Sequence, residues 1–476
     1  MTFSNDIKWF LDIYIVLILA YAILIMSSYL ILAYLSTKEL RSYLKKNSFV
    51  DYGVLLTSEF APKLSLIAPT YNEGFTIQEN VKSLLSLNYN NYQVIVVNDG
   101  SKDNSMEILI NTYDLVLTDL DINLKIETKK IKGIYHSRNA AFKKLIVVDK
   151  ENGGKADALN VGLNIAQNPY VVCIDVDCIL DKDSLLKLAK PFLESHGKRI
   201  IATGGVVRIA NQCVIKNARL VEVNAPDIML PRIQVLEYLR AFLLGRMAWG
   251  RLDGLLLISG AFGAFDKEIA LLAGGYNTKT VGEDMELVVR MRRYMIESKI
   301  PYSVSYIPDP LCWTEAPEEF KIFKKQRSRW MRGTIETLSI HKKMFLNPKY
   351  KFLGMISIPY WTLFEFLAPG IEFIGLVITV ILILFGLLNW HFFFLLLLFV
   401  YFFAVMFSVI ALYSEEHTYH KYPKQTDFFK LLVAAFIEPL YFHPLTVYAA
   451  LVGYKEKIMG TKGWGEMTRK GFTKKQ

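Results

Sequence analysis

Three groups of residues in this chain have types and spacings that can do chemistry. Asp175 and Asp177 stand two apart at the end of an apolar run. Glu283 and Asp284 are adjacent at the start of an amphipathic segment. Gln326, Arg329 and Trp330 lie in Lys325-Gln326-Arg327-Ser328-Arg329-Trp330, just before a strongly apolar C-terminal quarter. In an extended chain, carboxylates two residues apart point the same way, and like charges that close repel unless a cation or hydrogen-bond donors intervene. A hard divalent ion, Mg²⁺ or Mn²⁺, bound by Asp175 and Asp177 meets that need. Asp177 is then the principal ligand. The alternative is a solvated loop that happens to carry two aspartates. Asp284, with Glu283 beside it, is a candidate general base; the alternative is that both carboxylates favour a helix N-terminus electrostatically.

The elements that must position these residues alternate. Leu64 to Ala68 and Gln93 to Val97 are apolar strand-like runs, ending in Pro69-Thr70 and Asn98-Asp99-Gly100; Tyr170 to Ile174 is another, ending in Asp175. Helical patterns cover Thr76 to Leu87 and Lys155 to Ala166. Apolar strands with polar carboxyl ends predict an α/β domain with a mostly parallel sheet and a ligand crevice at those ends. No Gly-x-Gly-x-x-Gly follows the first strand, so a mononucleotide-sugar site fits better than a dinucleotide one. The Asp99 carboxylate can supply an acceptor to a buried base; the alternative is that Asn72 and Asp99 merely form turns or cap helices. Lys155 opens its helix after Gly153 and Gly154, where backbone N–H groups and an ammonium could face a phosphate; a flexible turn before a helix is the alternative.

Composition places the chain in a membrane: hydrophobic residues make up 52% and aromatic residues 13%. Trp9 to Leu35 holds one charge, Asp12, over a length that crosses a bilayer core of about 30 Å, and it lacks the basic start and small-residue cleavage site of a signal peptide. Four further spans are expected at roughly 352–368, 371–388, 392–413 and 428–454, the first interrupted by Pro359 and Glu365 and able to lie in the interface instead. Lys38, Arg41, Lys45, Lys46, Lys342, Lys343, Lys349 and Lys351 flank residues 37–351 and put them in the cytoplasm. Lys455, Lys457, Lys462, Arg469, Lys470, Lys474 and Lys475 outweigh Glu456 and Glu466 and put the tail there too, which requires an even number of crossings after Lys351. Glu365, Glu372, Glu438 and His443 fall inside these spans and mark a polar pathway or plain inter-helix hydrogen bonds. Residues 230–249 and 319–341 read as amphipathic interface helices, whose Lys324, Lys325, Arg327 and Arg329 could simply touch lipid headgroups. The net charge of +10 is explained by juxtamembrane Lys and Arg, so no nucleic-acid partner is expected. Cys173, Cys178, Cys213 and Cys312 are too scattered for a metal site and are expected to be reduced.

The order Asp-x-Asp, Glu-Asp, Gln-x-x-Arg-Trp, with apolar segments on both sides, resembles the membrane-embedded processive family 2 glycosyltransferases that make cellulose, hyaluronan, chitin oligomers and poly-N-acetylglucosamine. The resemblance runs from about Pro62 to the C-terminus. It implies a GT-A-like cytoplasmic domain at 37–318, an interface helix at 319–351, channel-forming helices at 352–454, an N-terminal transmembrane helix at 1–36 and a basic cytoplasmic tail at 455–476, in a plasma-membrane protein. A fused cyclic-dinucleotide receptor after the last span is not expected. It implies that Thr70, Tyr71, Glu73 and Asp99 surround the uracil and ribose of a UDP-sugar, and that Lys155 and Asp175 meet the diphosphate and donor sugar. Gln326, Arg329 and Trp330 would stand at a channel entrance, with Trp330 stacked on the acceptor sugar and Arg329 reaching the diphosphate. The implied activity is processive, inverting synthesis of a β-linked polysaccharide, a β-glucan or an N-acetylglucosamine polymer, passed through the enzyme's own spans; membrane lipids and the growing polymer are the expected partners. A non-processive transferase charging a lipid-phosphate carrier, and an inactive transporter or scaffold, are the alternatives. The family often has Thr before the Glu-Asp pair, where this chain has Gly282.

Overall fold

The computed structural model describes residues 5–119, 123–194, 197–216 and 219–461. The basic residues expected beyond Thr461 lie outside them. A ten-stranded sheet forms the core. Its spatial order is Leu115–Thr118, Ile131–Ser137, Leu145–Lys150, Tyr92–Asn98, Leu64–Thr70, Tyr170–Ile174, Phe262–Asp266, Arg199–Ile209, Tyr302–Thr314 and Ile179–Leu180. The four consecutive strands from Leu145–Lys150 to Tyr170–Ile174 are mutually parallel. Ile131–Ser137, Phe262–Asp266 and Ile179–Leu180 run against their neighbours, so the sheet is mixed with most strands pointing one way. The parallel strands are buried almost throughout. That is why they read as continuous Val/Ile/Leu runs rather than alternating ones.

Helices Ile77–Leu85 and Lys155–Ile165 connect parallel strands, each within two residues of the predicted bounds. The parallel register pairs Thr70 with Asn98, so Tyr71 and Asp99 emerge side by side, while the neighbouring Tyr170–Ile174 strand runs straight into Asp175. The crevice at the carboxyl ends thus collects the predicted polar residues from three strands.

Among the described residues, four helical segments are long and apolar enough to cross a membrane: Ile13–Asn47, Leu353–Leu384, Trp390–Thr418 and Gln425–Ile458. The first continues past the predicted end near Leu35 and runs into the domain, where Tyr43 donates to Asp309 at 2.5 Å. The two spans expected at 352–368 and 371–388 are instead one helical segment. Pro359 and Pro369 fall at helix starts, and π-helical stretches Leu353–Ser357 and Trp361–Phe366 let the chain continue without a hairpin. Ion pairs join the apolar helices to the domain: Arg208 of the sheet meets Glu415, both fully buried, and Arg240 meets Glu438. The segment predicted as one interface helix at 230–249 contains helix Met229–Leu239, a π-helical stretch Arg240–Arg246 and helix Met247–Arg251.

Candidate active site

Lys155 stands at the centre of the cleft. It occupies the first turn of its helix and forms an ion pair with Asp175. Its Nζ also lies 3.4 Å from the Gly260 carbonyl. Burial alone would depress its pKa, but Asp175 and then Glu283 and Asp284 outweigh that and hold it above the usual lysine value. One ammonium therefore neutralises carboxylates from two of the three predicted groups. The two preceding glycines do not face a phosphate as expected. Their N–H groups donate to Asp99, at 2.9 Å from Gly153 and 2.8 Å from Gly154, whose φ of +86° only glycine adopts freely.

Asp99 is correspondingly buried. Besides the two glycine amides it receives Lys150 Nζ at 2.5 Å, and the same ammonium reaches Asp157 at 2.6 Å. Lys150, fully enclosed, escaped the sequence reading because it ends a strand as an unremarkable charge; the two aspartates that pay its desolvation are 51 residues before it and seven after. Asn72 takes the turn-forming alternative: its φ is +54°, its side-chain oxygen accepts from the Lys102 amide at 2.8 Å and its own amide donates to Ser101 at 2.9 Å. That turn presents Tyr71, which is half exposed, while the Thr70 hydroxyl is buried with no partner among the described residues. Glu73 accepts from the Thr76 hydroxyl at 3.1 Å and gives its amide to Ser105 at 3.0 Å.

Asp175, Asp177 and Cys178 bring ligand atoms within 4.8 Å of one another. Cys178 is a soft, buried donor, which suits a hard divalent ion less well than carboxylate oxygens do. The two aspartates are the hard oxygen donors a divalent ion prefers.

Glu283 and Asp284 open the helix Glu283–Glu297 and divide in environment. Asp284 faces the cleft, with Oδ2 accepting from the Gly260 amide at 3.0 Å and Oδ1 from the Met285 amide at 2.8 Å. Glu283 is turned inward, and its Oε2 has no hydrogen-bond partner among the described residues. Burial, against the pull of Lys155, raises its pKa to about 7. A carboxyl near 4.5 in the unfolded chain and near 7 in the fold keeps its proton through that interval only when folded. Stability therefore falls as pH rises from about 4.5 to 7, by an amount on the order of 3 kcal/mol. The Glu283→Gln variant should show a flatter melting temperature across that window than the parent; an equal slope would place the titration elsewhere.

Helix Phe320–Ile340 carries the third group. Arg329 lies close enough to Glu283 to lower its pKa, so the Gln-x-x-Arg-Trp segment does meet the carboxylate cluster. Trp330 is substantially exposed. Arg327 covers one side of its indole, the guanidinium 4.1 Å from the ring centroid, and is itself clamped by Glu237 at 2.7 and 2.6 Å. The Gln326 side-chain carbonyl is buried without a partner among the described residues. Arg327 and Glu237 were missed as a pair, since their contact joins two helices ninety residues apart.

The departure at Gly282 has a local cause. A Cβ there would stand 2.6 Å from the Gly333 Cα, and one on Gly333 would stand 2.7 Å from the Gly282 Cα, so the helices bearing Asp284 and Arg329 meet backbone to backbone. Glu336, one turn after Gly333, accepts from the Thr280 hydroxyl at 2.7 Å and the Val281 amide at 2.9 Å, which fixes the approach to Asp284. Gly333→Val should cost about 1–3 kcal/mol through overpacking and depress transfer by separating Arg329 from Asp284. Unaltered melting and unaltered turnover would show that the close approach is dispensable.

A GT-A-like fold, with a strand-end crevice, a carboxylate pair and a helix-borne acid at one point, defines the class. The Glycosyl transferase family 2 model matches residues 65–253 and the Glycosyl transferase family group 2 model residues 170–405. The chain belongs to the family 2 glycosyltransferases. It is similar to the poly-beta-1,6-N-acetyl-D-glucosamine synthase of Staphylococcus epidermidis, 29% identical over 62% of this chain and 60% of that protein. The synthase of the same name from Staphylococcus aureus is 30% identical over 63% of this chain and 60% of that protein. The matched region thus spans 60% of the length of these relatives. Among solved structures, the mannosyltransferase PcManGT from Pyrobaculum calidifontis, in complex with GDP-Man and Mn²⁺, aligns with 92% of this chain and 99% of its own at a TM-score of 0.49 and 15% identity.

Proposed function

We propose that the protein is a membrane-embedded, inverting synthase that extends a β-linked polysaccharide from a UDP-sugar at the cytoplasmic face and passes the product through its apolar helices. The observation that carries this is the convergence of Asp175, Lys155, Glu283, Asp284 and Arg329 in one cleft, with the half-covered Trp330 one residue beyond. N-acetylglucosamine is the proposed donor sugar, on the strength of the two staphylococcal relatives.

Thr70, Tyr71, Glu73 and Asp99 form the nucleotide end of the cleft. In this reading Tyr71 offers a ring to the base and the unpartnered Thr70 hydroxyl a hydrogen bond, while Asp99 acts chiefly by holding the Gly153-Gly154 turn. Asp177 and Asp175 would hold a divalent cation, which neutralises diphosphate charge as UDP departs. When a diphosphate enters, Lys155 can exchange part of its contact with Asp175 for phosphate oxygens, and Arg329 adds a second fixed cation. Asp284, held by two backbone amides, accepts the proton of the acceptor hydroxyl. One displacement inverts the anomeric centre, so an α-linked donor gives a β-linked product, by the single-displacement logic of inverting hydrolases.

Trp330 separates a polymerase from an enzyme that transfers once. With Arg327 stacked on one side, the other can hold the acceptor sugar by its C–H surface and still let it slide. Trp330→Ala should shorten the polymer while leaving donor hydrolysis and UDP binding close to wild type. Unchanged polymer length would remove the tryptophan from the acceptor path.

A further inference from the structure

Glu286 follows Asp284 by two residues, which places it about 200° round the same helix, and it is fully buried. Its carboxylate has three donors. Arg290 Nε and Nη2 bond its two oxygens at 2.9 and 2.7 Å, and His341 Nε2 lies 3.2 Å from Oε1. Burial alone would raise the pKa of Glu286, but the bonds from His341 and Arg290 outweigh it and hold the group below the usual glutamate value, so Glu286 accepts and the histidine donates. His341 ends the helix Phe320–Ile340, which carries Arg329 and Trp330. Arg290 continues the network, with Nη1 on the Ala273 carbonyl and Nη2 on the Gly275 carbonyl, both at 2.5 Å. The next residue, Tyr276, exchanges both backbone bonds with the buried Asn160 side chain, at 2.8 and 2.7 Å, and its hydroxyl bonds the Cys173 thiol. Asn160 belongs to the helix of Lys155, and Cys173 stands two residues before Asp175. A Cβ on Gly275 would lie 2.5 Å from Asn160 Oδ1, so this loop approaches the Lys155 helix closely only as glycine.

We propose that His341 and Glu286 are positioning residues for the transfer reaction: with Arg290, Tyr276 and Asn160 they form one buried brace that fixes the helices of Arg329, Asp284 and Lys155 against each other. The brace bears on catalysis on the reading that these three groups serve one sugar transfer. The helices of Asp284 and Arg329 meet at Gly282 and Gly333, with the Glu336 bonds beside them. His341 is eight residues beyond Gly333, about 12 Å along its helix. Its bond to Glu286 is a second polar tie, and two separated ties set a crossing angle that one leaves free to turn. Arg329 lies four residues to the other side of Gly333, about 6 Å away, so a turn about the glycine contact carries it past Asp284. A displacement of about 1 Å between reacting groups can cost about a hundredfold in rate. None of these bonds involves Thr70, Tyr71 or Asp99, so nucleotide binding does not depend on the brace.

His341→Met removes the donor at similar volume, whereas His341→Gln keeps an N–H that can reach Glu286; in both, Glu286 retains its Arg290 bonds and the fold persists. In the purified full chain, His341→Met is expected to lower kcat for transfer from UDP-N-acetylglucosamine about tenfold or more, with KM for the donor within about twofold of the parent, and His341→Gln to recover most of the loss. In an Arg329→Lys background the His341→Met change should cost less than about twofold, because the group it places is already altered. Nitroxides on Lys321→Cys and Ser298→Cys, exposed positions near one end of each helix, report the crossing angle itself. Their distance distribution should broaden with His341→Met and narrow again with His341→Gln. A rise in KM at unchanged kcat, full additivity with Arg329→Lys, or His341→Gln no better than His341→Met overturns the positioning role, and an unbroadened distribution overturns the brace even where activity falls. A parent chain that transfers no sugar, with distances that respond as stated, overturns the polysaccharide reading and leaves the brace standing.

Discussion

Asp284→Asn is expected to lower the rate of sugar transfer by roughly a hundredfold or more, about 2.7 kcal/mol of transition-state stabilisation, while UDP binding stays close to wild type. The amide is nearly isosteric but has one acceptor oxygen where the carboxylate has two, so it keeps the bond from Gly260 or that from Met285 but not both, and a modest loss of melting temperature accompanies the change. What it loses is the capacity to take a proton from the acceptor hydroxyl. Glu283 cannot substitute for it: the side chain is buried and protonated over much of the range below pH 7. Single-turnover transfer from a labelled UDP-sugar checks this against equilibrium binding of UDP. Loss of binding with an unchanged chemical step would mean that Asp284 organises the Lys155 cluster and that the base is elsewhere.

Asp177→Asn is expected to abolish divalent-dependent turnover with little change in melting temperature. A neutral amide is a poor ligand for a hard cation, and Asp175, already paired with Lys155, provides only one further carboxylate. Excess EDTA should reproduce the defect in the parent protein, and added Mn²⁺ should restore the parent but not the variant. Full parental activity in excess EDTA would exclude the metal-assisted account and leave Lys155 and Arg329 as the sole charge on the leaving group.

The parts of this site that sequence reveals are those made by local pattern. The strands before Thr70, Asp99 and Asp175 are legible because burial on both faces forces continuous apolar runs, and the polar residue that ends each run marks the crevice. Asp284 is singled out by a carboxylate pair at a helix start, whereas Arg329 and Trp330 are singled out only by the resemblance to the family 2 glycosyltransferases. Other features depend on the tertiary meeting of distant segments. The Asp99-Lys150-Asp157 cluster turns a supposed base-binding carboxylate into the anchor of the Gly153-Gly154 turn, and nothing near Asp99 announces Lys150. Gly282 reads as a departure until Gly333 is found against it. The edge strand Leu115–Thr118 and its neighbour Ile131–Ser137 are short or partly exposed and carry weak patterns. Hydropathy counted two spans in 352–388 because prolines usually punctuate helices, whereas π-helical turns carry this one through.

The most direct measurement of the central claim is product analysis with the purified full chain, a divalent cation and one UDP-sugar at a time. The account predicts UDP release with UDP-N-acetylglucosamine, together with a long polymer that resists organic extraction and is degraded only by hydrolases specific for β-linkages. A product consisting solely of a monoglycosylated lipid extractable into organic solvent would contradict it, and would make this chain a carrier-charging transferase.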